Sequence, residues 1–264
     1  MAYLYETHLH TSQGSACGYS LGREYVKRYL DLGYAGIIVT DHFYNGACAV
    51  NRGLPWSKWV DTFCRGYEDA REEGERRGLD VFFGWEETFD GDDYLVYGLD
   101  RDWLLEHPEA RQWTRKKQFE EARRYGGCVV QAHPFRQRYY INCVYLSTGC
   151  VDAVEVANAG NQDQSNDALA WIYAQRLALP ALAGSDIHRA ADIRPGTVYG
   201  VYLDKKLKTI KDYVDAVRNN AISGIKIPDG RCSLYGNERL RLPVNILDGR
   251  DRSIGTNWKG LLGL

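Results

Sequence analysis

Five of the six histidines in this chain stand in short patterns that suit metal ligation: His8-Leu9-His10, Asp41-His42, His133-Pro134 and Asp186-Ile187-His188. Glu86, in Gly84-Trp85-Glu86-Glu87-Thr88, adds a carboxylate. Imidazole and carboxylate are the donors that borderline and hard divalent cations take. On an extended strand, residues i and i+2 point to one face, so His8 and His10 can grip a single ion. Only His107, in a polar stretch before Pro108, stands outside these patterns, and it reads as an exposed loop residue. A donor set of this kind points to a multi-metal hydrolytic site.

The elements that must carry these donors alternate between apolar runs and amphipathic stretches. Short strands are predicted at Tyr3–Tyr5, Ile37–Val39, Val81–Phe83, Tyr94–Tyr97, Cys128–Val130, Val151–Val156, Ala181–Ala183 and Thr197–Tyr202. Helices are predicted over Arg23–Leu32, Trp56–Arg77, Arg111–Arg124, Asn166–Leu177 and Thr209–Asn219. Apolar runs without alternation suggest strands buried on both faces, hence a parallel sheet with helical crossovers. His42, Glu86, His133 and Asp186 each follow a predicted strand end, and in a parallel α/β barrel those ends converge on one face. Donors far apart in sequence would meet there.

Composition sets the outer bounds. A chain of 264 residues, 44% hydrophobic and 26% charged, can bury a full core. A formal net charge of −2 gives no reason to expect nucleic acid or an acidic membrane surface as partner. No apolar stretch approaches the length of a membrane span. The N-terminal segment runs straight into the first histidine pair and does not read as a cleavable signal. Seven cysteines without Cys-x-x-Cys spacing suggest reduced thiols and a cytoplasmic home.

Taken in order, Glu6-Thr7-His8-Leu9-His10-Thr11, Thr40-Asp41-His42, Gly84-Trp85-Glu86, His133-Pro134 and Gly184-Ser185-Asp186-Ile187-His188 resemble the successive motifs of the PHP (polymerase and histidinol phosphatase) superfamily. The resemblance covers roughly residues 1–205. It implies a distorted seven-stranded β/α (TIM-like) barrel with its metal site at the C-terminal face of the strands, residues 206–264 packing on the same domain as a helix and tail. It also implies two or three divalent ions (Mn, Fe or Zn). His8, His10, Glu86 and Asp186 would hold the first, Glu86 would bridge to a second that His133 also holds, and His42 and His188 would belong to a third. Asp41 reads as a residue that orients ligands.

The chain departs from the family pattern twice. Where members carry a histidine at the start of the strand before Gly98, this chain has Asp93, a competent ligand that favours harder ions; a simple turn formed by Asp92 and Asp93 is the other reading. Where trinuclear members place a histidine or aspartate beyond the second histidine, Ser15 and Ala16 stand, with Cys17 the nearest soft donor. A dinuclear site is therefore also open.

The resemblance implies a metal-dependent hydrolase of phosphate esters that uses a metal-bridging hydroxide on a small organic phosphate or nucleotide. His42, His188 and Arg136 are the candidates for catalytic roles, and Arg136, Arg189 and Arg194 for holding phosphate, since guanidinium meets phosphate bidentately. Histidinol-phosphate phosphatase and a non-catalytic metal-binding interaction module are the alternatives. Glu155 and Asn158 could touch substrate or make structural hydrogen bonds, and residues 136–140 could wall a pocket for one nucleotide. The segment after Ile225 fits a further strand near Leu240–Ile246, and oligomeric state is left open.

Overall fold

A computed structural model of the chain describes residues 2–236 and 238–264. It begins with β1 (Tyr3–Glu6), α1 (Gly22–Asp31) and β2 (Gly36–Val39), and every residue of β2 is buried. The stretch 56–77, predicted as one helix, is two: α2 (Trp56–Phe63) and α3 (Arg65–Arg77) meet at Cys64. The break frees α2 to lay Trp59, Val60 and Phe63 into an aromatic core with Phe43 and Trp85. Burying a phenylalanine of this kind contributes on the order of 2–3 kcal/mol.

β3 (Asp80–Phe89) and β4 (Asp92–Tyr97) form a hairpin around Asp90-Gly91. Both turn residues have positive φ (56° and 86°), as a type I′ turn requires. Asp92 and Asp93 therefore open a strand; the turn lies one step earlier than their own reading as a turn would put it. There follow α4 (Arg101–Glu106), α5 (Arg115–Arg124), β5 (Cys128–Gln131), β6 (Val144–Ser147) and β7 (Ala153–Asn158). Next come α6 (Ser165–Leu177), β8 (Ala181–Gly184) and β9 (Gly200–Leu203). The C-terminal part adds α7 (Ile210–Arg218), β10 (Gly224–Lys226), β11 (Val244–Leu247), β12 (Ser253–Gly255) and α8 (Trp258–Leu262).

The main sheet runs β10-β9-β1-β2-β3-β4-β5-β7-β8 and curls into a barrel that nearly closes where β8 returns beside β9 and β10. It has nine strands rather than the expected seven, with β9 pairing antiparallel to β1 and β10 antiparallel to β9 at the edge. The expected parallel pairing holds for β1-β2-β3 and for β5-β7-β8. β4 runs against both neighbours. That reversal has a consequence for the site: β4 starts at the same end where β3 and β5 finish, so its first residues join the mouth of the barrel.

The C-terminal part does not trail away. Tyr213, Val214 and Val217 of α7 enter the core beside Tyr5, Leu95 and Val130. β11 pairs with β6 and β12 in a separate three-stranded sheet. Among the described residues no helix is long and apolar enough to cross a membrane.

Gly66 ties this packing to the barrel mouth. A Cβ there would collide with Thr11 Oγ1 and come within 2.9 Å of Asp41 Oδ2. Gly66→Ala is expected to destabilise the protein by about 1–3 kcal/mol through overpacking, although alanine is the better helix former. Urea melts of the metal-free variant check this.

Candidate metal centre

His8 and His10 lie just past β1, Asp186 and His188 just past β8, and His42 and His133 just past β2 and β5. Glu86 differs from its predicted place: it sits inside β3, which extends beyond it to Phe89, and a bridge joins it to His42. Two of these residues hold a backbone that side chains seldom adopt, with φ of 30° at His133 and 53° at Asp186. Strain of this kind collects where a site fixes the chain against its preference.

The side chains converge. His8 Nε2 is 3.1 Å from His10 Nε2 and 3.2 Å from Glu86 Oε1. His10 Nε2 lies 3.0 Å from Asp186 Oδ1, and His133 Nε2 lies 3.3 Å from Glu86 Oε1. Asp93 Oδ2 is 3.9 Å from His133 Nε2. Successive strand residues face opposite ways, so Asp93 reaches the cluster while Asp92 turns into the interior. There Asp92 accepts from Gln131 Nε2 and Tyr94 Oη and lies 3.5 Å from Arg115 Nε; burial pushes its carboxyl up to about 7.

The arrangement calls for cations. His42 Nδ1 and Glu86 Oε2 are 2.8 Å apart, yet too poorly aligned to hydrogen-bond, so both buried atoms lack a hydrogen-bond partner. That spacing suits neighbouring donors on one ion with metal–donor bonds of about 2.1 Å. Among the described residues, four overlapping donor groups occur: His8-His10-Glu86, His8-His133-Asp186, Glu86-Asp93-His133 and His10-His42-His188. Without a cation, burial would lower the His8 imidazole, but Glu155, Glu86 and Asp186 outweigh it and hold it well above its ordinary range. Burial, then the charges of His42 and His188, drive His10 well below. Burial would raise Glu86, and His8 and His42 overcome it.

A ring of hydrogen bonds aims the donors. Glu155 Oε1 lies 2.9 Å from His8 Nδ1, and Glu155 Oε2 accepts the His133 N–H at 3.1 Å. Asn158 donates to Glu155 at 2.8 Å, so this pair makes structural bonds. Asp41 accepts from Thr11 N–H and Ser15 Oγ, and Ser15 Oγ contacts His10 Nδ1 at 3.1 Å. Such contacts fix which imidazole nitrogen faces an ion. Glu6 escaped the sequence reading. Its carboxylate accepts from the backbone of Thr7, His8 and Ser185 and so locks β1 to the loop bearing Asp186. An acid closing an apolar strand was the only signal.

The three arginines fall apart. Arg136 lines the cleft above the cluster, but its guanidinium is buried and donates to Asp186 Oδ2 at 2.6 Å, Asn158 Oδ1 at 2.6 Å and Asn161 Oδ1 at 2.9 Å. Arg231, from the C-terminal part, braces the same region by donating to Asp167 and to the Asn161 carbonyl. Arg189 is exposed and stacks on Tyr19, and Arg194 closes a surface turn with Thr197; neither lines the cleft. The cleft measures about 350 Å³ and includes His42, Asp93, Tyr140 and Cys17 in its wall. His107, expected as exposed, is partly covered by Trp103, whose ring it stacks on at 4.2 Å.

If Arg136 acts by positioning Asp186, Arg136→Met should lower affinity for divalent ions about 10–100-fold. It should also destabilise the metal-free protein by roughly 2–4 kcal/mol, because Asp186 loses its buried partner. Metal titration and denaturant melts test this; a raised KM with unchanged metal affinity would instead mark Arg136 as a substrate clamp alone.

Residues 165–222 match the PHP-associated family (PHP_C). Among solved structures, the chain is similar to a two-domain protein from Bacteroides vulgatus containing a predicted PHP-like metal-dependent phosphoesterase. The TM-score is 0.60 at 18% identity over 84% of this chain and 64% of that one, so the chain spans less than two thirds of that protein's length. It is also similar to PsfC from Pseudomonas syringae, with TM-score 0.53 at 15% identity over 88% of this chain and 93% of that one. Likenesses at such identities show a shared fold. No curated protein matches the sequence.

Proposed function

We propose that this chain is a PHP-type metal-dependent phosphoesterase acting on a small phosphorylated substrate, a reading that the match of residues 165–222 and the shared fold support. The observation that carries the reading is the meeting of His8, His10, His42, Glu86, Asp93, His133, Asp186 and His188 in one cluster, with Glu86 Oε2 and His42 Nδ1 left without hydrogen-bond partners. His8, His10, Glu86 and Asp186 would hold one divalent ion, and Glu86, Asp93 and His133 a second. Bound there, manganese, iron or zinc would acidify water and stabilise the negative charge on the phosphoryl oxygens in the transition state.

The chain's own residues do the rest. Glu86 presents Oε1 to His8 and His133 and Oε2 to His10 and His42, so its carboxylate would serve adjacent cations. Glu155 fixes His8 so that Nε2 faces inward, and Arg136 holds one oxygen of Asp186 so that the other faces the ions. Arg136 keeps two N–H groups beyond these bonds, enough to meet a phosphoryl oxygen. His42 and His188 stand where the leaving oxygen could take a proton. Glu86, His133 and Asp186 are themselves buried, which strengthens the charge interactions among them. All seven cysteines are free thiols, which suits a cytoplasmic protein.

The test is metal analysis of the purified protein together with hydrolysis of an aryl phosphate monoester and diester with added Mn²⁺. Two or three ions per chain with Mn²⁺-dependent turnover is the expected result, and the faster ester names the substrate class. Failure to bind metal after reconstitution would overturn the reading.

A further inference from the structure

A second cavity, of about 650 Å³, adjoins the metal cleft at Arg136, which lines both. Its wall is strongly basic. Arg138, Arg239 and Arg241 stand in it against one acid, Asp163, whose carboxylate accepts the Ser165 N–H at 2.9 Å at the start of α6. Among the described residues, none of these three arginines has a carboxylate within salt-bridge distance. Arginines elsewhere on the surface do, as Arg23 has Asp69, Arg101 has Asp61 and Arg252 has Asp248. Three like charges around one hollow repel each other, and an anion between them turns that repulsion into attraction.

The arginines are held on both sides. Arg138 donates to Gly160 O at 2.5 Å, and the Gly160 N–H donates at 2.8 Å to Asn158 Oδ1, the oxygen that also accepts from Arg136. A chain of contacts thus runs from Asp186 through Arg136 and Asn158 to Arg138. Opposite, the N–H groups of Arg241 and Leu242 donate to Gln137 Oε1 at 2.6 and 3.3 Å. Leu240 and Leu242 pack on the hydrophobic core, and Arg239 and Arg241, which alternate with them, are exposed in the cavity. Both lie outside the segment that matches the PHP-associated family.

We propose that this cavity binds a second anionic group of the substrate, a phosphate or a carboxylate, while the ester phosphate lies at the metal cluster. The inference rests on the hydrolase reading above and gives it a substrate class: phosphoesters whose organic part carries a further negative charge. Guanidinium groups meet either oxyanion through paired N–H donors, and at an exposed site the attraction is screened by salt.

Calorimetric titration of the metal-free protein with inorganic phosphate tests the site independently of catalysis, and the double variant Arg239→Gln/Arg241→Gln assigns the bound ion to it. Both side chains are exposed, so the replacements leave the core untouched. The expected result is one phosphate per chain, with affinity that falls about tenfold or more in the double variant and weakens with added salt. In the Mn²⁺-loaded protein, 6-phosphogluconate and glucose 1,6-bisphosphate should be hydrolysed with kcat/KM about tenfold or more above that of glucose 6-phosphate. The double variant should bring that ratio towards one, and the faster of the two doubly charged esters names the group that the cavity takes. Phosphate that does not bind, or that binds the double variant equally well, overturns the site whatever the turnover. Arginine-dependent phosphate binding without any preference among the three esters overturns the substrate assignment alone. The same binding with no turnover of these esters or of an aryl phosphate overturns the hydrolase reading and the substrate role with it.

Discussion

Replacing His133 with alanine is expected to abolish phosphoester turnover, by about 10³-fold or more, and to remove one bound ion. Among the described residues, His133 Nε2 is the only imidazole nitrogen placed against both Glu86 Oε1 (3.3 Å) and Asp93 Oδ2 (3.9 Å). Without it, two carboxylates alone must hold an ion, and the attacking water loses half of its activation. The variant also separates chemistry from folding. Residue 133 keeps φ near 30°, a conformation that costs alanine as much as histidine but costs glycine little. His133→Gly should therefore lose the same activity and the same ion, yet melt at a higher temperature than His133→Ala. Metal content and turnover measured on both variants, with thermal melts of each, check the pair. Activity retained with full metal content would remove His133 from the site.

Glu86→Gln should have the broader effect, lowering affinity for more than one ion by over about 100-fold. The carboxylate faces His8 and His133 through Oε1 and His42 and His10 through Oε2. An amide has one oxygen and no charge, so it cannot serve two cations or offset their repulsion. The metal-free protein should respond as well. The neighbouring imidazoles hold the Glu86 carboxyl well below its ordinary range despite burial. A depressed carboxyl contributes stability above its unfolded pKa and loses it as pH falls through the folded value. Glu86→Gln should thus be less stable than the parent at neutral pH, with the gap narrowing on acidification. Unfolding curves at several pH values, alongside metal titrations, give both results.

The donors themselves were legible because ligand chemistry restricts residue type. The His8/His10 pair, His42, His133 and the Asp186/His188 pair could be chosen from spacing and from the apolar runs before them. The alternation of strands and helices was legible for the same reason, since burial on both faces leaves continuous apolar runs at Ile37–Val39 and Cys128–Val130. Strand direction was not. Tyr94–Tyr97 looks the same whether it runs with or against its neighbours, and only the Asp90-Gly91 turn shows that it reverses. That reversal converts Asp93 from one of two acids after a glycine into a residue at the metal cluster, and sends Asp92 to Arg115 and Gln131.

Arg136 shows the other limit. Its position after His133-Pro134-Phe135 suggests a phosphate clamp, but its bonds to Asp186, Asn158 and Asn161 come from three segments that sequence cannot bring together. Glu6 and Glu155 belong to the same class, residues of common type whose meaning lies in what faces them. The sequence by itself determined which side chains can bind cations and that strand ends would gather them, because both follow from local chemistry and periodicity. Only the tertiary structure decided which oxygen meets which nitrogen and which acids face imidazoles from behind rather than from within the cluster. Those depend on strand direction and on contacts between residues more than a hundred positions apart, such as Glu6 with Ser185 and Glu155 with His8.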